Sequence, residues 1–371
     1  MRDTSVPTPY ECPSPLFSSS PSPNKREGKI LPLTHVLDKP VGTMSKVITE
    51  TEEPSVAEVP NVVHRKYKLV YRNFVTFGYG HLAAVYGLYL CFTEAKWATI
   101  ALGYVMLIIS EIGITAGAHR LWTHKAYKAK LPLQIILMLM NCISFQNTVT
   151  TWVRDHRLHH KYSDTDADPH NASRGFFFSH MGWLLVKKHP EVLKKGKQID
   201  MSDIESNPVL VFQKMYAFPL IAMVCFILPT IVPVYCWGES WSISWHINML
   251  RYILNLHITF MVNSVAHIWG NKGYDRNILP AQNVAVSIAT CGEGYHNYHH
   301  VFPWDYRAAE LGNNYLNVTT KFIDFFAAIG WAYDLKTVSD DVIRQRVQRT
   351  GDGTDLWGFG NKINYMESEK Q

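Results

Sequence analysis

Four apolar blocks, each about as long as a bilayer crossing requires, dominate the sequence after its first 60 residues. They cover residues 73–92, 97–118, 215–235 and 241–266. A helix needs about 20 apolar residues to cross the hydrocarbon core of a bilayer, and lipid tolerates no unpaired backbone groups. Short turns join the first block to the second and the third to the fourth. The pattern predicts an all-α integral membrane protein with four transmembrane helices in two hairpins.

The composition excludes several other classes of protein. The net charge is only +5 and no long block of Lys and Arg occurs, so no nucleic-acid partner is expected. Six Cys without a CxxC pair argue against a disulfide scaffold. Residues 1–60 hold 10 of the 19 Pro and too little apolar surface to fold, which predicts a disordered cytosolic tail. A membrane domain then covers 61–340, and a cytosolic C-terminal tail covers 341–371.

The distribution of Lys and Arg predicts the orientation. Basic residues flank the first block on its N-terminal side, the second on its C-terminal side and the third on its N-terminal side, whereas the two short turns carry only Lys96. Cytosolic loops carry the excess of positive charge, so both termini and the long middle segment should be cytosolic. A further stretch, Leu131–Trp152, starts apolar and turns polar, which favours an amphipathic helix at the interface.

Eight histidines fall into three clusters with metal-ligand spacing. His119 and His124 form HxxxxH, and two HxxHH runs start at His156 and His296. Positions i, i+3 and i+4 share one face of a helix, whereas a spacing of five is off a single α-helical face and fits residues that bracket a helix end. Eight imidazoles are too many for one tetrahedral zinc, and an all-nitrogen set suits redox iron. The clusters predict a dimetal site in a helical cytosolic cap.

This constellation also constrains the membrane topology. The three clusters can share a site only if they lie on one side of the bilayer. Leu131–Trp152 separates the first cluster from the second, so this stretch should not span.

The motifs resemble those of the membrane acyl-CoA desaturases over roughly residues 61–360. The strings HRLWTH, HRLHHK and HNYHH occur in the family's order, with similar flanking segments at 113–117, 164–169 and 302–305. Within that family the chain looks most like the moth sex-pheromone Δ11-type branch. The tetrapeptide Leu279-Pro-Ala-Gln282 and Glu111 carry this finer resemblance.

The resemblance implies an enzyme of the endoplasmic reticulum membrane that removes two hydrogens from a saturated fatty acyl-CoA of about C14–C18. It implies two Fe as a di-iron centre, O2 as co-substrate, and electrons from NADH through cytochrome b5 and its reductase. The implied metal ligands are nine histidines, namely His119, His124, His156, His159, His160, His267, His296, His299 and His300. Asn263 matches a residue that reaches iron through water.

The resemblance also implies residues that contact the substrate. Substrate-binding positions carry over to Asn73, Asn147, Arg154, Asp155, Lys187, Lys188 and Phe260. Positions along the acyl tunnel carry over to Leu107, Glu111, Gln146, Trp152 and Thr259. Lys187 and Phe260 stand where the family commonly has Arg and Trp, so contact details differ here.

Glu111 has two readings, because a carboxyl within a span is a functional candidate. It either shapes the depth of the acyl tunnel or pairs with Arg251 in the fourth block. A Δ9 or Δ10 desaturase, a hydroxylase and an acetylenase would share the same scaffold. A metal-binding membrane transporter is the alternative from another class, although its ligands should lie at mid-bilayer.

Overall fold

The computed structural model describes residues 67–310 and 317–354, and helices make up most of them. The expected N-terminal tail and residues 355–371 of the C-terminal tail lie outside the described residues. Within this part of the chain the strands are two short ones, β1 (Lys128–Ala129) and β2 (Ala332–Tyr333), which pair antiparallel. The all-helical class is therefore confirmed at the level of secondary structure.

The first two apolar blocks form a helical hairpin. Helix α1 covers Tyr71–Thr93, and α2 covers Trp97–Ile112. A π-helical segment, Gly113–Thr123, continues α2 without a break, so the apolar helix extends from Trp97 to Thr123.

The third and fourth blocks form a second hairpin with a similar short turn. Its first arm runs from Ala217 to Trp237 as α9 (Ala217–Ile221), a π-helical segment (Ala222–Ile227) and α10 (Leu228–Trp237). Its second arm is α11 (Trp241–Asn263), whose N-terminus is capped by the Ser240 hydroxyl.

Three of these helices are long and apolar enough to cross a membrane: Tyr71–Thr93, Trp97–Thr123 and Ala217–Trp237. Helix α11 is as long as α1 but more polar, because it contains Asn248, Arg251 and Asn255, all of them buried. The expected interfacial helix over Leu131–Trp152 is instead two helices, α3 (Leu131–Ser144) and α4 (Val149–Tyr162), which meet at 83°. Positive φ angles at Phe145 and Asn147 end α3, because a left-handed residue cannot continue a right-handed helix.

Shorter helices make up most of the remaining described chain. They are a 3₁₀ turn (Ala172–Arg174), a π-helical turn (Phe178–Gly182), α5 (Trp183–Leu185), α6 (Pro190–Gly196), α7 (Ser202–Glu205), α8 (Pro208–Met215), α12 (Val265–Ile268), α13 (Val284–Ala289), α14 (His296–Val301), α15 (Val318–Ala328) and α16 (Asp340–Thr350). Helix α16 lies within the expected C-terminal tail, where it buries Ile343 and Val347 against Tyr274 and Tyr298.

Two close contacts hold the hairpins together. Helix α1 packs along α11, and at Gly87 the backbone of α11 is so near that an added Cβ would lie 2.2 Å from the carbonyl oxygen of His246. At the two interhelical turns, the Glu239 carboxylate accepts hydrogen bonds from the Lys96 backbone N–H (3.0 Å) and the Thr99 hydroxyl (2.6 Å). The turns of the two hairpins are therefore bonded to each other.

The tight contact at Gly87 leads to a stability prediction. Gly87→Ala should lower the free energy of unfolding by about 1–3 kcal/mol, because the helices must separate to admit the methyl group. Gly78→Ala, in the same helix, has open space around its Cβ and should be neutral or stabilising by up to about 1 kcal/mol. Thermal unfolding followed by tryptophan fluorescence in detergent micelles measures both variants. Equal melting temperatures for the two would contradict the close approach of α1 and α11.

Candidate metal centre and adjoining cavity

The π-helical segment explains how two histidines five residues apart converge. A π-helix closes its hydrogen bonds between residues i and i+5, and the His124 N–H donates to the His119 carbonyl oxygen at 3.1 Å. The two imidazole centroids then lie 4.8 Å apart. The pair lies at the end of the long helix, as one reading of the spacing predicted, but the π-helical winding was not foreseen from the sequence.

Each HxxHH run divides its side chains between two neighbouring clusters. The clusters are here called the five-histidine group (His119, His124, His156, His160 and His299) and the four-histidine group (His159, His267, His296 and His300). The candidate ligand atoms of each group lie within 4.8 Å of one another. All nine histidines singled out in the sequence therefore meet, with α4 and α14 each contributing to both groups.

The nitrogens within each group point at one another. The Nε2 atom of His299 lies 2.9 Å from that of His119 and 3.0 Å from that of His160. In the other group, His296 Nε2 is 3.0 Å from the Nε2 atoms of both His267 and His300. A neutral imidazole has only one N–H, so such convergence leaves lone pairs facing lone pairs. A cation in each group resolves this arrangement.

Buried nitrogens without partners support the same conclusion. Among the described residues, His124 Nε2 and His156 Nε2 are buried and make no hydrogen bond. Buried polar atoms are normally paired, and these two belong to the five-histidine group. The donor set therefore fits a metal ion, with nitrogen ligands of the type that iron, zinc and copper accept.

Three carboxylates orient the imidazoles from behind. His119 Nδ1 lies 2.9 Å from Glu293 Oε2. His159 Nδ1 donates to Asp168 at 2.8 Å, and His267 Nδ1 donates to Asp164 at 3.2 Å. Such contacts place the proton on Nδ1 and leave the Nε2 lone pair for a metal.

The electrostatics keep Glu293 and Asp168 charged and the imidazoles of α14 neutral. Burial alone would raise the pKa of Glu293, but Arg120 and His119 lower it to about 2. Burial also opposes ionisation of Asp168, whose pKa is nevertheless lowered by His159 and His170. On α14, burial and the neighbouring imidazoles lower the pKa of every histidine well below its usual value. Neutral imidazole is the form that binds metal.

One histidine near the centre was missed in the sequence. His170 is buried beside Asp168 and His159 and also contributes to the lining of the adjoining cavity. It belongs to no HxxHH run, so spacing could not have found it; only the fold of the 163–175 loop brings it here.

A cavity adjoins the two groups and encloses about 1000 Å³, including its open mouth. The predicted residues that line it are Glu111, Gln146, Asn147, Trp152, Asp155, Thr259, Phe260 and Asn263, together with His119, His156 and His296. Leu107, one helical turn before Glu111, is not among the lining residues.

Polar side chains form a chain along one wall of this cavity. Asn255 donates to Glu111 at 2.7 Å, and Gln146 donates to both Asn255 (3.2 Å) and Thr259 (2.7 Å). The alternative pairing of Glu111 with Arg251 is wrong. Arg251 instead donates to Asn248 and to the carbonyl oxygens of Ile143 and Cys225.

Charged residues meet at the edge of the cavity. Asp155, which lines it, forms ion pairs with Arg154 (3.1 Å) and with Lys188. Lys187 donates its backbone N–H to Lys68 at 2.8 Å, and the Asn73 amide donates to the Leu184 carbonyl oxygen at 2.6 Å. The predicted substrate contacts therefore lie on segments that adjoin one another, although Asn73, Arg154, Lys187 and Lys188 do not line the cavity itself.

The lowered histidine pKa values predict a pH dependence of stability. Below pH about 6.5, His296, His299 and His300 become protonated in the unfolded chain. In the folded state their lowered pKa values keep them neutral. These groups therefore leave the free energy of unfolding unchanged above pH about 6.5 and lower it as the pH falls below that value, by up to about 1.4 kcal/mol per group and pH unit. The melting temperature of metal-free protein should fall between pH 7.5 and 5.5, and less steeply for His299→Asn. A flat profile would refute this.

Comparisons with known proteins agree with this site. The fatty acid desaturase family model matches residues 95–312, more than half of the chain. An acyl-CoA Δ11 desaturase of Spodoptera littoralis is 67% identical over 84% of this chain and 93% of its own length. Another of Trichoplusia ni is 65% identical over 88% and 94%. An (11Z)-hexadec-11-enoyl-CoA conjugase of Bombyx mori is 62% identical over 78% and 88%. These matches confirm the resemblance drawn from the histidine motifs, and the chain belongs to the fatty acid desaturase family.

Proposed function

We propose that this protein is an acyl-CoA desaturase that introduces a Δ11 double bond into a saturated fatty acyl-CoA of about C14–C18. The observation that carries the proposal is the pair of convergent imidazole groups at the wall of a cavity that buries a carboxyl at one side. The overall reaction takes an alkane segment, O2, two electrons and two protons to an alkene and two waters. Electrons come from NADH through cytochrome b5 and its reductase.

The nine histidines would hold two iron ions, with Asn263 as a further contact through water. Bound iron supplies the oxidising power that an unactivated C–H bond requires, since such a bond offers no acidity for acid–base residues to use. The fit rests on the facing Nε2 atoms, the unpartnered buried nitrogens and the neutral state of the imidazoles on α14. Glu293, Asp164 and Asp168 keep the ligands oriented.

The rest of the chain's work is to position the substrate and exclude water. Trp152, beside His119 with ring centroids 6.1 Å apart, would place one pair of methylenes next to the metal centre. Gln146 and Thr259, fixed by their mutual hydrogen bond, would shape the bend of the acyl tunnel. Holding the chain in one conformation removes its entropy before the reaction begins.

The anionic CoA portion would bind at the charged edge of the cavity. Arg154, Lys187 and Lys188 supply positive charge there, and Asp155 keeps Arg154 and Lys188 in position. Asn73, Asn147 and Phe260 complete the proposed contact surface. The position beyond the cavity edge suits a charged group that stays in water while the acyl chain enters.

The Δ11 assignment depends on the relatives together with the cavity. Three moth relatives above 60% identity are named Δ11 desaturases, whereas an Acheta domesticus relative named a Δ9 desaturase is 57% identical. The double-bond position depends on how far the acyl chain enters before it reaches the metal. We propose that Glu111, held by Asn255, limits this depth.

The proposal includes four helices that span the endoplasmic reticulum membrane, with both termini in the cytosol. Three helices meet the length and composition for spanning, and α11 would be the fourth, with its polar residues turned toward the bundle. The bent pair α3 and α4 would then lie at the cytosolic face. This arrangement keeps all nine histidines on one side, where cytochrome b5 can reach them.

Expression in a yeast strain that lacks its own desaturase tests the reaction. Cells supplied with saturated acids from C12 to C18 should produce Δ11 monoenes, located by mass spectrometry of dimethyl disulfide adducts. His299→Ala should abolish the product, because it removes the imidazole whose Nε2 atom faces those of both His119 and His160. His246→Ala, which lies far from both groups, should still form the product. The absence of any new unsaturated acid from the wild type would overturn the proposal, and Δ9 products or dienes would replace Δ11 with another regiochemistry.

The proposed role of Glu111 leads to a separate prediction. Glu111→Ala should lengthen the tunnel and shift the ratio of longer to shorter acyl products by about 10-fold, since each methylene in an apolar pocket is worth about 1–3 kcal/mol. Glu111→Gln keeps the side-chain volume and should preserve the product ratio. Product profiles from the same yeast assay measure the effect. Unchanged chain length and double-bond position in the alanine variant would remove the tunnel role.

A further inference from the structure

The two histidine groups differ in the charge that surrounds them. Behind the five-histidine group, Glu293 contacts His119, but its other oxygen accepts two hydrogen bonds from Arg120 at 2.8 and 3.0 Å. Arg120 is only 1% exposed, so this ion pair is shielded from water. A second guanidinium, that of Arg157, lies nearby and pairs with Asp203. Positive and negative charges therefore balance on this side.

Behind the four-histidine group, two carboxylates act without a cation. Asp168 bonds His159 and Asp164 bonds His267. The remaining hydrogen bonds to these carboxylates come from the backbone N–H groups of Asp164, His170 and Ala172 and from the Ser163 hydroxyl. Within the described residues, neither forms an ion pair with Lys or Arg. Two negative charges thus face this group with no counterion except what the group itself holds.

We propose that the two metal positions are unequal: the four-histidine group holds its ion more tightly, and Asp164 and Asp168 are the positioning residues responsible. The inference depends on the dimetal centre of the proposed function and adds a property that the ligand set alone would not predict. By ligand number alone, the five-histidine group would be the tighter site.

The physical reason is electrostatic. A carboxylate that accepts the Nδ1 proton makes an imidazole more basic and therefore a stronger metal ligand. The buried Asp168 and the half-buried Asp164 also attract a dication directly, with less screening than in water. Arg120 cancels both effects for Glu293, because it draws the same carboxylate's charge toward itself. A fifth imidazole adds only a neutral ligand, whereas Asp164 and Asp168 add two formal charges.

Filling of the full-length protein with ⁵⁷Fe tests the inequality without any mutation. Metal-free protein in detergent micelles receives one and then two equivalents of ferrous ion, and Mössbauer spectra are recorded at each step. One quadrupole doublet should appear first and a second only after one equivalent. Equal growth of two doublets from the start would overturn the inference but leave a dimetal centre intact. Binding of fewer than two irons would overturn the dimetal centre as well.

Matched charge-removing variants then assign the tighter position. In a chelator-exchange assay, Asp168→Asn or Asp164→Asn should speed the slow phase of iron loss by about 10- to 100-fold. Glu293→Gln removes the same charge behind the other group and should leave the slow phase unchanged. Asp164→Glu, which keeps the negative charge at this half-buried position, should release iron as slowly as the wild type. If Glu293→Gln speeds the slow phase and the aspartate variants do not, the assignment is reversed and the inference fails.

Discussion

The packing of nine imidazoles into two adjoining groups is the constraint on which the rest of the cap depends. Several imidazole nitrogens that converge at about 3 Å cannot all be paired by the single N–H of each neutral ring, so the arrangement calls for a cation in each group and for each ring to be turned correctly. The π-helical end of the long helix, the two HxxHH helices and the 163–175 loop all serve this geometry. The buried Arg120–Glu293 pair fixes one ring, and the aspartates of the loop fix two others.

The metal centre and the cavity share their supporting helices. Glu111 and His119 lie eight residues apart on one continuous helix. Helix α11 carries Thr259 on the cavity wall and ends at Asn263 beside the metal groups, while its Asn255 bonds Glu111 from behind the wall. A shift in either helix therefore moves the cavity and the ligands together. The hydrogen bonds among Glu111, Asn255, Gln146 and Thr259 hold these helices together and so fix the distance between the bend of the cavity and the metal centre.

The same helices must also satisfy the membrane. Large apolar side chains such as Phe92, Trp97 and Phe218 are more than four-fifths exposed, which suits lipid rather than water. The polar residues of α11 are instead buried against other helices, where Arg251 finds carbonyl and amide oxygens. Helix α11 is therefore less apolar than α1 and α2, yet its Asn248, Arg251 and Asn255 side chains are all buried.

The sequence by itself determined the helical class, the two hairpins and eight of the nine histidines, because apolar length and histidine spacing are local properties; His267 came only from the family resemblance. Only the tertiary structure decided which histidines share a group, since one HxxHH helix can serve two sites. It also decided that Glu111 bonds Asn255 rather than Arg251, that α3 and α4 bend apart, and that His170 and Asp164 join the centre. These outcomes depend on contacts between residues far apart in the chain, which no local pattern records.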